Sequence, residues 1–182
     1  MTHPTDLLKI LYAASAALVL VACGDRPTES NTTSSSGNGA PTEPSYTAAV
    51  DFTPTLVGRG NVGTFNIQSK ADGYDVRLKS KDNTDIAVAT IGVAPGGHSG
   101  WHFHPGPVLV IVKVGTITFY HGDDPTCTPT HYTAGSAFIE EGGDVGIARN
   151  ETAGVDTVVA TFFVPAGSPT RIDAAAPGNC AF

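Results

Sequence analysis

From Cys23 onward the chain holds 15 valines, 8 isoleucines and 20 threonines but only 3 leucines. Branching at Cβ restricts χ1 against a helical turn and suits the pleated, half-buried surface of a sheet. After residue 46 no segment sustains an apolar period of 3.6 over ten positions, so a helical architecture has no support. Strand-like runs recur instead: Gly63–Ile67, Tyr74–Ser80, Ile86–Val93, Val108–Val114, Thr116–Tyr120, Ser136–Glu140, Val145–Asn150 and Thr157–Val164. Turn clusters punctuate them at Ala71-Asp72-Gly73, Lys81-Asp82-Asn83 and Gly122-Asp123-Asp124-Pro125. Eight short strands between such turns specify an all-β sandwich, jelly roll or barrel.

The first residues carry a different signal. Ile10 to Val21 read ILYAASAALVLV, uncharged and preceded by Lys9. Twelve apolar residues are too few to span a bilayer as a helix but match the apolar core of a signal peptide. The stretch ends in Leu20-Val21-Ala22-Cys23, which resembles the bacterial lipobox. That resemblance implies cleavage after residue 22, lipid on Cys23 and anchoring to a membrane of the bacterial cell envelope, on its extracytoplasmic side. Residues 23–48 follow as a tether rich in Ser, Thr, Gly and Pro that cannot bury a core. A coil of this length spans roughly 25 Å, enough to hold a domain (49–182) just off the membrane.

With a formal net charge of −7 and a pI near 5.1, the chain lacks the clustered Lys and Arg that phosphate backbones require. Nucleic acid is therefore excluded as a partner. The two remaining cysteines, Cys127 and Cys180, lie in the turn-rich contexts DDPTCTPT and APGNCAF. In an exported domain they are expected to pair as a disulfide.

Three histidines fall within APGGHSGWHFHPG, at His98, His102 and His104. Positions i and i+2 of a strand share a face, so His102 and His104 can converge on one ion. Imidazole serves iron, manganese, copper, zinc or nickel as a ligand. The spacing of Gly96, His102, His104 and Gly115 is similar to the first motif of the cupin family, and Gly135, Gly143 and Asn150 fit the second. The resemblance covers roughly residues 60 to 165 and implies a cupin-like jelly-roll barrel, a divalent transition metal and a homodimer. Leu109 and Ile111, facing outward, are candidates for the apolar surface of such a dimer.

Departures from the motifs matter more for function. Val108 stands at the first motif's glutamate, Glu141 at the second motif's proline, and Gly146 at the second motif's histidine. Two imidazoles alone would make a weak site, since metal sites usually employ three or four protein ligands. Asp144 shares the parity of Gly146 and is the first candidate substitute, one repeat of ~7 Å away. His98 and His121 are others. Rescue by Asp144 would give two histidines and a carboxylate, the pattern of open non-haem iron sites. Without it the expected outcome is a degenerate pocket. Glu140 and Glu141 read as a solvated turn, because adjacent strand residues face opposite ways.

If His102 and His104 point inward, parity places Val108, Val110, Val112 and Val114 on the same face and Lys113 outside. Phe138, Ala148 and Phe162 join that lining, with Asn150 as a hydrogen-bonding group. Trp101 reads equally as a rim aromatic or as core. The glycine-rich run from Gly58 to Gly63 matches a dinucleotide fingerprint literally, but no helix follows, so it reads as a turn. Two functional readings stand open for a small-molecule ligand. The first, favoured by the missing ligands, is a membrane-tethered binding or sensory module with a degenerate metal site. The other is a metal-dependent enzyme, an oxygenase or isomerase, using His102, His104 and a substitute ligand. A third, an envelope protein with an empty barrel, has the least support.

Overall fold

The computed structural model describes residues 45–182. The expected signal segment, Cys23 and most of the expected tether lie outside them. Among the described residues the regular structure is entirely β: β1 (Val50–Ala71), β2 (Tyr74–His98), β3 (His102–Phe103), β4 (Val108–Val114), β5 (Thr116–His121), β6 (Thr130–Thr133), β7 (Ala137–Glu140), β8 (Gly146–Asn150), β9 (Asp156–Pro165) and β10 (Ile172–Asp173). They form one antiparallel sheet in the order β10-β3-β8-β2-β9-β4-β7, with β1 on β2 and β5 bridging β8 to β6. The sheet curls into a nearly closed barrel with two faces, β1-β2-β9-β4-β7 and β10-β3-β8-β5-β6. They are joined at His98 opposite Arg149. The fold is that of an all-β, cupin-like jelly roll.

Alternation builds the interior. On β4 the buried residues are Val108, Val110 and Val112, and on β9 Val158, Ala160, Phe162 and Val164. Ala87, Ala89, Ile91 and Val93 of β2 and Ile117 of β5 complete this cluster. Fully burying each large aliphatic side chain contributes about 1.5 kcal/mol or more. Leu109 and Ile111 point outward and are exposed, as does Lys113. Val114 does not follow its parity. The ladder slips between Val112↔Val158 and Val114↔Thr157, and this bulge turns Val114 outward to 48% exposure. Gly115, next along, has φ +79, and a Cβ there would strike the Asp156 carboxylate.

The β1–β2 hairpin was only partly legible. Asp72 and Gly73 both take positive φ between the paired residues Ala71 and Tyr74, a two-residue type I′ turn of the kind Asp-Gly favours. Lys81-Asp82-Asn83 is not a turn. Gly63 pairs with Thr84 and Phe65 with Ser80, so these three residues bulge opposite Thr64 within β2. The run Gly58 to Gly63 is likewise strand rather than turn, with register shifts at Leu56/Gly58 and Asn61/Gly63. Glycine supplies the freedom those bulges require. Tyr46, counted with the tether, bridges Ala175 and so lies against the barrel.

A second, smaller core lies away from the main cluster: Trp101, Tyr120 and Ile147, with Val145 and the Cys127–Cys180 disulfide packed on it. Phe182 stacks on Trp101 at 6.4 Å and meets Tyr120 edge-on at 4.9 Å. The Arg149 guanidinium sits 3.9 Å over the Phe182 ring. The bridge therefore holds the segment bearing Phe182 against the barrel wall.

Candidate metal centre

His102 begins the short β3, pinned between Asp173 of β10 and Gly146 of β8. His104 lies two residues on, its carbonyl accepting from the Gly143 amide at 2.9 Å. Both imidazoles are 5% exposed, with ring centroids 4.8 Å apart and planes perpendicular. The third member is Glu140, the last residue of β7. One ligand atom from each of His102, His104 and Glu140 lies within 4.8 Å of the other two.

The tautomers follow from the carbonyls. His102 Nδ1 donates to the Gly100 carbonyl at 2.9 Å, and His104 Nδ1 donates to the Thr170 carbonyl. A carbonyl can only accept, so each Nδ1 carries the proton and each Nε2 of the neutral ring presents a lone pair. Burial holds the His102 pKa down to about 4, with the Arg171 charge adding to the shift and Glu140 opposing it. His104 Nε2 faces Glu140 Oε2 at 3.4 Å. Two lone-pair atoms this close in a buried site repel unless a cation or a proton lies between them. The donor set therefore fits a divalent transition metal, and the residues that would hold it are His102, His104 and Glu140.

The site opens into a cavity of about 110 Å³ walled by Phe52, Ile91, Val108, Val110, Ile117, Phe138, Ala148, Val158, Ala160 and Phe162, with Thr170 and Arg171 at one side. The segment carrying those two residues is anchored from β2. Asp85 accepts from the Gly167 amide at 3.0 Å, from Asn61 at 2.8 Å and from Arg59 at 2.8 Å. Those hydrogen bonds hold its carboxyl at a pKa of about 2.

Several expected site residues lie elsewhere. Asp144 is exposed in the turn between β7 and β8, which breaks strand parity before Gly146 is reached. His98 is turned from the cavity, its Nδ1 accepting from the Gly100 amide at 3.1 Å. His121 is exposed at the end of β5, edge-on to Phe119. Gly146 does not line the cavity either. A Cβ there would sit 2.3 Å from Phe119 Cζ, so the ring takes the space a third histidine would need. Asn150 is a buried clamp, donating to the Val93 and Gly154 carbonyls and accepting from Thr152. Trp101 is core, 1% exposed.

Glu140 is not part of a solvated turn: it ends β7 and lines the cavity, while Glu141 is exposed. The parity of Glu140 with Phe138, already placed on the pocket face, was the signal that points inward. Glu140 opposes Val108 across the β4–β7 ladder, so a neighbouring strand brings a carboxylate beside the position where the motif has its glutamate.

A nearly closed antiparallel β-barrel carrying an inward histidine pair is the class that fold and site define. Solved structures similar to this chain include proteins described as cupin or double-stranded β-helix proteins. One is an uncharacterized conserved protein with a double-stranded β-helix domain from Klebsiella pneumoniae, 21% identical, covering 63% of this chain and 87% of that one at a TM-score of 0.42. Another is a cupin domain from Bordetella pertussis, 16% identical, covering 65% and 96% at a TM-score of 0.41. A third is the polyketide cyclase RemF from Streptomyces resistomycificus, 15% identical, covering 72% and 79% at a TM-score of 0.48. At these identities the likeness is one of fold alone. No protein-family model and no curated protein sequence matches the chain.

Proposed function

We propose that this protein is a metal-dependent enzyme of the bacterial cell envelope, tethered through lipid on Cys23, that acts on a small organic molecule held in the barrel. The observation that carries the reading is the convergence of a ring nitrogen from each of His102 and His104 with the Glu140 carboxylate at a buried, apolar cavity, both Nδ1 atoms being held by carbonyls. Two histidines and one carboxylate leave coordination positions open, the donor pattern of non-haem iron oxygenases. When bound, such a metal supplies Lewis-acid or redox chemistry at the cavity wall.

The chain's own residues do the rest. The Gly100 and Thr170 carbonyls keep both Nδ1 protons in place, so the ligand atoms need no proton loss before binding. Glu140 supplies the negative charge that the valine at position 108 does not. The aliphatic and aromatic walls exclude water and strengthen every charge interaction within.

Elemental analysis of the full chain, purified in detergent, tests the centre. Near-stoichiometric iron, manganese, copper, zinc or nickel is expected, and H102A/H104A should lose it. No metal after reconstitution with each of the five would overturn the reading. The address is tested by fractionating cells that express C23S, which should shift from the membrane to the soluble fraction. A wild-type chain that incorporates no labelled fatty acid would sink the lipid anchor.

A further inference from the structure

Arg171 is the one lysine or arginine among the described residues lining the cavity, and it shares that lining with all three candidate ligands. We infer that the cavity takes a small apolar monocarboxylate, its carboxylate held by Arg171 beside the metal centre and its hydrocarbon part against the barrel wall. The inference rests on the metal-dependent reading proposed above and names the substrate class of that same site.

Arg171 is pre-positioned. Its Nε donates to Asp173 Oδ1 at 2.8 Å and its Nη2 lies 2.7 Å from the same oxygen. Nη2 is nonetheless buried without a hydrogen-bond partner among the described residues, so the guanidinium keeps donors uncommitted. A guanidinium offers five N–H donors in a rigid fork, so this pairing leaves donors free for a second carboxylate. The backbone is fixed as well, since the neighbouring Thr170 carbonyl holds His104 Nδ1 and the Gly167 amide is tied to Asp85. Half-buried, with its side chain 25% exposed, the cation is less screened than a surface arginine.

Charge balance sets the ligand's charge. Arg171 and Asp173 cancel, and an imidazole that ligates a metal does so as the neutral ring. Glu140 against a divalent ion leaves one net positive charge for a monoanion to neutralise. No second lysine or arginine lines the cavity among the described residues, so a dicarboxylate or a doubly charged phosphate would bury a charge without a partner. Size follows from the volume. An apolar cavity of about 150 Å³ holds benzene, so about 110 Å³ suits a branched acid of a few carbons.

The test is a titration of the metal-loaded full chain with isovalerate, isobutyrate, isovaleramide, isobutyramide and succinate, read by calorimetry and by the visible spectrum of the cobalt-substituted protein. Each monocarboxylate should bind about tenfold or more tighter than its amide, and succinate should not compete. R171Q should abolish the acid-over-amide preference and R171K retain part of it, with metal content unchanged in both. Equal affinities for acid and amide in the wild type, no binding of either acid, or an unchanged preference in a folded R171Q each overturn the assignment while leaving the metal reading intact. Failure of that reading has a different signature, a wild-type chain without metal. In such a chain, an acid preference that still falls in R171Q keeps Arg171 as the anchor, and its absence overturns it.

Discussion

Val108 and Glu140 face each other across the antiparallel β4–β7 ladder, the valine fully buried and the glutamate half-buried beside His104. Directly opposed residues have Cβ atoms about 5 Å apart, close enough for either to present a carboxylate to one ion. E140A should therefore lose stoichiometric metal. Moving the carboxylate across the ladder in V108E/E140V should restore metal relative to E140V alone, measured by elemental analysis. Undiminished metal in E140A would remove Glu140 from the ligand set.

Phe119 explains why a third histidine is absent. Its ring occupies the space beside Gly146 and also packs on Phe138 at 5.6 Å. G146A should destabilise by ~1–3 kcal/mol, the usual cost of overpacking, and F119L/G146A should recover part of that loss. Denaturant midpoints at unchanged m would measure both effects. An unaffected midpoint in G146A would show that the ring yields freely.

Asp156 is fully buried beneath Gly115, with Oδ1 accepting from the Thr116 amide at 3.0 Å and Oδ2 without a partner. Burial raises its pKa above the ordinary 3.8. The folded state then holds this proton more tightly than the unfolded chain, so the group favours folding below pH 3.8. That contribution is lost as pH rises toward and through the raised folded value. D156N should remove this part of the pH dependence, giving a flatter stability profile above pH 3.8 than the wild type in chemical denaturation. Superimposable profiles would contradict an ionising Asp156.

Cys127 and Cys180, 53 positions apart in sequence, close a loop onto the small aromatic core. The chain-entropy model gives up to ~4 kcal/mol for such a closure. Reduction, or C127A/C180A, should lower the melting temperature and change the fluorescence of Trp101, the chain's single tryptophan, as Phe182 loses its tie. The cavity belongs to the other cluster, so metal content should persist. Loss of metal on reduction would show that the two cores are coupled.

Much of the barrel was legible because strand periodicity is local. The alternating valines of β4 announced both strand and inward face, and the same parity put His102 and His104 together. What misled were local signals that tertiary pairing overrode. Glycine and Lys-Asp-Asn runs that favour turns became bulges inside β1 and β2, since a long partner strand continued past them. Val114 lost its parity to a one-residue slip that no isolated strand records. Glu140 carried its inward parity in the sequence, but its role depended on which strand β7 would lie beside.

Taken alone, the sequence determined the β class, the Asp-Gly hairpin turn, the shared face of two histidines and the two cysteines available to pair. Backbone sterics and side-chain alternation settle those within a few residues. Only the tertiary structure decided that β7 borders β4 and that Phe119 fills the space at Gly146. It alone set the segment bearing Thr170 and Arg171 against the histidines. Strand partners are chosen by the global fit of apolar faces and loop closures, which no local window contains. The composition of the site is therefore a property of the closed barrel.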